Sequence, residues 1–287
     1  MTPRKLRRIL RLTNRRLRWI VGFALLGLVC IQCTRPSDAG FQDDGLVRSI
    51  SGREVGELSD AQVQRLEVLA RTDPIALLEQ CRDHSAQTVR DYTCTFIKQE
   101  RMDGVLGQVQ EMRVKFLARP HSVAMHWTVN APISDRVLYV EGSNDDQILL
   151  RPKGLLSWMG TVRRQPDSPQ VMANTLRPIT IFGFERSLES LIEVYRLASQ
   201  RGELRTEFLG YRSVAGRPAL VLSRELPPRD DYPAARTLTY IDPKLMAPIA
   251  FEAWDWDGQL SSRYIFKDIR INVGLTPDDF TPRANGL

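Results

Sequence analysis

The sequence predicts an α+β domain in which a large, curved antiparallel sheet of about ten strands is covered by about three helices. Short runs of period-two alternation follow one another from Tyr92 to Arg151, the same pattern returns between Leu204 and Asn272, and amphipathic stretches of helical spacing precede and separate the two groups. A single sheet of that size twists and curls, and its inner apolar face needs a cover, which the helices supply.

The elements follow in chain order. Residues 1–39 begin with a positive region, continue through the apolar run Trp19 to Ile31, and reach the small-residue series Ser37-Asp38-Ala39. This is the layout of a secretory signal cleaved near Ala39, or of an uncleaved anchor in the inner membrane. Either reading exports the rest of the chain, to be periplasmic, secreted or held at the membrane through its N-terminus. Residues 40–58 mix Gly, Asp, Arg and Ser without period and read as a flexible tether, and residues 59–287 form the folded domain.

Ser59 to Gln62 has the form of a capping box, with Val63, Leu66 and Leu69 behind it at helical spacing. Asp73-Pro74 starts a second helix that runs to about Val89. Strands follow at Tyr92 to Arg101, Gln108 to Leu117, Val123 to Val129, Val137 to Glu141 and Gln147 to Arg151, on connections short enough for an antiparallel meander. Asp103-Gly104 supplies a tight turn after the first strand. Beyond the Gly- and Pro-containing stretch Pro152 to Pro178, a third helix spans about Ser187 to Gln200, and five more strands run to Asn272.

The chain carries 40 basic and 34 acidic side chains, a formal +6. Nine of the basic residues but one acid lie in residues 1–39, which leaves the remainder at 31 against 33. The surplus belongs to the export segment, so composition gives no support for nucleic-acid binding. A Gly-x-Ser-x-Gly elbow, a phosphate loop and a His-Glu-x-x-His helix are all missing from the sequence. His121 and His126, five apart on one strand, fall on opposite faces and do not share a metal. No enzyme activity and no cofactor is expected, although an enzyme built from scattered polar residues of the Pro152 to Pro178 stretch stays open.

What stands out is apolar and aromatic. Met112, Val114, Phe116, Val123, Met125 and Trp127 are in phase for one face of the sheet, and Leu191, Trp254 and Phe266 are further candidates for the same interior. These residues build either a packed core or a cavity that accepts varied apolar ligands. Leu155 to Met159, apolar yet in a connection, is a candidate lid. Lys98-Gln-Glu-Arg101 reads as a strand end turning to solvent, or as a charged rim at a cavity mouth. Cys81 and Cys94, the cysteines left after processing, are a candidate disulfide in an oxidising compartment, with two buried thiols as the alternative.

Tyr92 with Lys98-Gln-Glu-Arg101 and Gly104, followed by Tyr139-Val-Glu-Gly142, resembles a bacterial envelope family, the domain-of-unknown-function family 1571. The ending with Tyr264, Phe266, Asp268, Ile269, Ile271 and Asn272, then Leu275 and Asp279-Phe280, is similar to the last strands of LolA-like lipoprotein carriers. The resemblance implies an open half-barrel lidded by helices, with an apolar cavity as its ligand site. The function expected is binding or carriage of lipid or lipoprotein acyl chains, and the alternative is a structural or protein-interaction module with a filled core.

Overall fold

The computed structural model describes residues 45–50 and 61–287, so the export segment and the Ser59 cap lie outside the described residues. Helices α1 (Ala61–Thr72) and α2 (Pro74–Thr88) open the domain. Asp73 ends one and caps the next: its carboxylate accepts from the Ala76 amide at 2.9 Å, and Pro74 takes the first helical position, where no amide hydrogen is needed.

The chain then enters β2 (Asp91–Met102), turns at Asp103-Gly104 with φ of 49° and 81°, and adds the short β3 (Val105–Leu106). Strands β4 (Gln110–Leu117), β5 (Ser122–Val129), β6 (Ser134–Val140), β7 (Ile148–Pro152) and β8 (Val162–Arg164) complete a first meander. The chain crosses the sheet through α3 (Pro169–Met172) and α4 (Phe184–Gln200) to a second meander. That one comprises β9 (Arg205–Val214), β10 (Arg217–Glu225), β11 (Arg236–Asp242), β12 (Ala247–Trp254) and β13 (Leu260–Ile271).

All strands join one antiparallel sheet in the order β1-β9-β10-β11-β12-β13-β2-β4-β5-β6-β7-β8, where β1 is Val47–Ser49 and β3 pairs with β2 off this path. The two meanders therefore meet along β2 and β13, which are 12 residues each and set Phe96 opposite Phe266.

The expected fold holds, with 13 strands among the described residues instead of about ten. The additional ones are β1, β3 and β8, of three residues or fewer, too short for alternation to register. One corrects the tether: Val47 pairs with Val214, so part of residues 40–58 is an edge strand, ordered by its partner and not by its own pattern.

Three helices cover one half of the inner face. Leu66 of α1, Leu77, Leu78 and Cys81 of α2, and Leu188, Ile192 and Tyr195 of α4 pack on Leu220, Leu222 and Ile241. A second cluster lies where the meanders meet. There Tyr92, 0% exposed, stacks between Phe116 and Phe184 with ring centroids 4.6 and 4.7 Å away. Gly183 makes that approach possible: at φ 105° a Cβ would sit 2.5 Å from the Phe116 ring. On the outer face the C-terminal segment covers the first meander, with Phe280 against Leu117, Ala124, Leu138 and Leu149. Lys115 Nζ donates to the Asp279 carbonyl at 2.7 Å and Arg136 to that of Asn285 at 3.0 Å, holding this cover in place.

Candidate functional site

Alternate residues of a strand share a face, so Tyr92, Cys94, Phe96, Lys98 and Glu100 of β2 all point toward the helix side. The first three meet apolar partners: Phe116, Val114 and Met112 on β4, and Phe266 on β13. Toward the other end the same face turns polar. Glu100, Ser262, Ala253, Thr237, Arg224 and Thr206 stand opposite one another in succession, a row that crosses from β2 to β9.

Lys98 and Glu100 are buried, which corrects both the solvent-facing and the rim reading of Lys98-Gln-Glu-Arg101. Lys98 Nζ lies 3.0 Å from Glu100 Oε2, and Glu100 Oε1 accepts from the Tyr264 hydroxyl at 2.6 Å and from the Thr175 hydroxyl at 3.3 Å. Burial, and then the Glu100 charge, raise the Tyr264 pKa well above the usual phenol range, so its proton stays in this hydrogen bond. The out-of-phase neighbours serve the backbone: Gln99 donates to the Gly107 carbonyl and Arg101 to those of Leu260 and Gly104. Thr175 belongs to the irregular stretch 165–183, which this cluster pins to the sheet.

Further along the row Arg224 is 2% exposed. Its Nη2 donates to the Thr237 hydroxyl at 2.9 Å, while Nε and Nη1 have no hydrogen-bond partner among the described residues. The guanidinium lies 5.3 Å from the Tyr195 ring centre. The Tyr195 hydroxyl and Thr239 Oγ1, both buried, are also without partners. Burial, with a smaller contribution from Arg177, brings the Arg224 pKa down to about 10, which leaves it charged at neutral pH. Arg177 itself is exposed, 5.9 Å over the ring of Tyr264.

The apolar candidates divide. Met112, Val114, Phe116, Val123, Met125, Trp127 and Phe266 gather in one cluster with Tyr92, Phe96, Phe182 and Phe184. Met125 and Trp127 are half-buried, and Trp127 Nε1 donates to Gln110 at 2.8 Å. Leu191 packs instead in the helix cluster. Trp254 is a correction: it pairs with Arg236, whose guanidinium lies 5.5 Å from its ring, on the face opposite Phe251 and Ala253, because its position is odd by one in the alternation.

Of the candidate lid Leu155 to Met159, the side chains of residues 155–157 lie outside the described residues. Trp158 is 82% exposed and Met159 43%, and the apolar floor is covered by Val171, Ile179 and Phe182. Beside the Tyr92 stack a cavity of about 10 Å³, room for about one water, is lined by Ser85, Val89, Phe116, Ala118, Phe184 and Glu185.

Cys81 and Cys94 are free, buried thiols, and the candidate disulfide is not formed. Cys81 sits among the helices and Cys94 on the sheet in the aromatic cluster, each with apolar neighbours of its own. Burial pushes the Cys81 thiol up to about 12, so it stays protonated and unreactive.

His121 and His126 lie apart. His121 is buried against Phe116 and Tyr139, with burial and the nearby Arg186 and Arg119 pulling its pKa down to about 3 against a hydrogen bond with the Ile179 backbone. It folds neutral, whereas the unfolded chain takes up a proton near pH 6.5. Stability is therefore expected to fall as pH drops from 6.5 toward 3, by at most about 1.4 kcal/mol per unit. Urea unfolding at pH 7 and 4.5 checks this: His121→Phe is expected to flatten the dependence, and an unchanged difference between the two pH values would refute it.

Strand parity carried a signal for Lys98 and Glu100, in phase with Tyr92, and for Arg224, in phase with Leu220 and Leu222. Charge pointed the other way, since such residues are almost never buried unless paired. Tyr195 and Tyr264 read as core for the same reason that they are buried.

Among solved structures, the chain is similar to MucB in the Pseudomonas aeruginosa MucA/MucB complex, with a TM-score of 0.46 and 18% identity over 75% of this chain and 62% of that one. It is similar to the Mycobacterium tuberculosis lipoprotein LppX, at 0.43 and 16% over 71% and 99%, and to a LolA superfamily protein from Nitrosomonas europaea, at 0.32 and 10% over 73% and 97%. The match spans 58% to 62% of three MucB chains, less than two thirds of their length. All these TM-scores lie below 0.5, so the function has to be read from this chain's own residues. No curated protein sequence matches. The family model described as "Protein of unknown function (DUF1571)" matches residues 89–286, from the end of α2 through all of β2 to β13 and most of the C-terminal cover, and the chain belongs to that family.

Proposed function

We propose that this is an exported envelope protein that binds the acyl chain of a lipid or lipoprotein on the inner face of its sheet, beneath the stretch 165–183. One observation carries the reading: the apolar floor formed by Met112, Val114, Val123, Met125 and Trp127 is covered by Val171 of the one-turn helix α3, Ile179 of a single 3-10 turn and Phe182 of the loop after it, and not by one of the long helices. Irregular chain shares few backbone hydrogen bonds with its surroundings and opens at lower cost than a packed helix. Ile179 and Phe182 occupy the place an acyl chain would take, and each methylene exchanged into it contributes about 0.8 kcal/mol.

The protein purified from its native envelope is expected to release a bound lipid on organic extraction, identified by mass spectrometry. Trp127→Asp, at a half-buried position, is expected to weaken binding of a fluorescent fatty acid at least tenfold while leaving the unfolding transition cooperative. Absence of co-purifying lipid, together with no binding of the fluorescent probe by the unmodified protein, would overturn the reading.

A second reading rests on Trp158, an aromatic residue 82% exposed beside the exposed Met159. Such a pair fits a docking point for a protein partner.

A further inference from the structure

We propose that Arg224, Tyr195 and Thr239 form a buried binding site for an oxyanion, a carboxylate or a phosphate group, under helix α4. The inference does not depend on an acyl ligand, although the anion can be the head of an amphiphile as well as a free ion.

Arg224 is buried out of charge balance. A guanidinium is not removed from water without a compensating anion or a full set of acceptors, because the unpaired buried ion costs several kcal/mol. Arg224 is 2% exposed and makes one hydrogen bond, to a neutral hydroxyl. The titratable groups that act on it are Tyr195, Tyr232 and Arg177: two phenols and a second cation, with no carboxylate among them.

The unused hydrogen bonds are gathered in the same place. Arg224 retains two free donors, Nε and Nη1, the ring of Tyr195 lies under its guanidinium with an unpartnered hydroxyl, and Thr239 Oγ1 is free on the next strand, two residues from the Thr237 that Arg224 already holds. Orphaned buried donors are uncommon in native folds, and four of them around one cation constitute a receptor for an oxygen-rich anion. A planar guanidinium suits that ligand better than an ammonium does, since it presents parallel N–H groups to two oxygens.

Access is marked by charge as well. Arg177 is exposed, lies over Tyr264 at the edge of the stretch 165–183, and is close enough to depress the Arg224 pKa. An anion approaching from solvent meets Arg177, on the exposed side of that stretch, first and Arg224 second.

The test uses the protein purified from its native envelope and stripped of lipid. Inorganic phosphate and acetate are titrated against chloride at constant ionic strength, followed by the thermal midpoint, and dodecyl phosphate is titrated in parallel. At least one oxyanion is expected to raise the midpoint over chloride, with Arg224→Met weakening its binding at least tenfold. Tyr195→Phe and Thr239→Val, which keep their volumes, are expected to weaken it several-fold. Dodecyl phosphate binding at least tenfold tighter than inorganic phosphate assigns the site to a lipid head group, and equal binding assigns it to a free anion; both support the site. Arg224→Lys keeps the charge without the fork, and its intermediate affinity provides the check if Arg224→Met fails to fold. If no oxyanion stabilises the unmodified protein over chloride, or if binding is unchanged in Tyr195→Phe and Arg224→Lys alike, the proposal is overturned. Because inorganic phosphate carries no acyl chain, this result is independent of the lipid-binding test above.

Discussion

Glu100→Ala is expected to lower the stability of the domain by about 3–5 kcal/mol, the cost of leaving one partner of a buried ion pair without the other. The carboxylate is the common acceptor for Lys98, Tyr264 and Thr175, so its removal takes the countercharge from a buried ammonium, which keeps only the Thr175 hydroxyl at 3.2 Å, and takes the acceptor from the Tyr264 phenol. Urea unfolding is the measurement, with the midpoint falling and the slope unchanged. The double substitution Lys98→Met with Glu100→Leu is expected to recover most of the loss, because a charge pair replaced by apolar groups of similar volume need not destabilise. A loss below about 1 kcal/mol in Glu100→Ala would mean that the pair is solvated in solution and pins nothing.

Tyr92→Ala is expected to cost about 3–5 kcal/mol as well, by a different route. The ring is fully buried and stacked on both sides, by Phe116 from the sheet and Phe184 from the first turn of α4, so its removal opens a void where the helix layer meets the first meander. Tyr92→Phe separates ring from hydroxyl. Its hydroxyl is buried without a partner, and deleting it is expected to leave stability unchanged or raised by up to about 1 kcal/mol. Equal losses in the two variants, again by urea unfolding, would show that the hydroxyl is bonded and that the stack carries little.

Read in order, the chain makes its local structure plain because each local signal has a local cause. Asp73-Pro74 starts α2 through a side-chain cap and a missing amide hydrogen, and Asp103-Gly104 turns β2 because both residues accept positive φ. Met112, Val114 and Phe116 share a face because side chains alternate along any strand. Thus the elements, the fold class and most of the apolar cluster are legible from spacing alone. Leu191 and Trp254 were less so, since belonging to one interior cluster and not another depends on which element lies across from them.

The rest depends on partners distant in the chain. That β13 returns to β2, joining the meanders at their centre, follows from pairing between residues about 170 positions apart, such as Phe266 with Phe96, and no local pattern encodes it. The interior charges belong to the same class. Lys98 and Glu100 look like a solvated strand end until Tyr264 and Thr175 arrive to bond them, and Arg224 looks like a surface arginine until α4 lays Tyr195 over it. Whether a charged side chain is buried is decided by the elements that close over it, and here those come from distant parts of the chain.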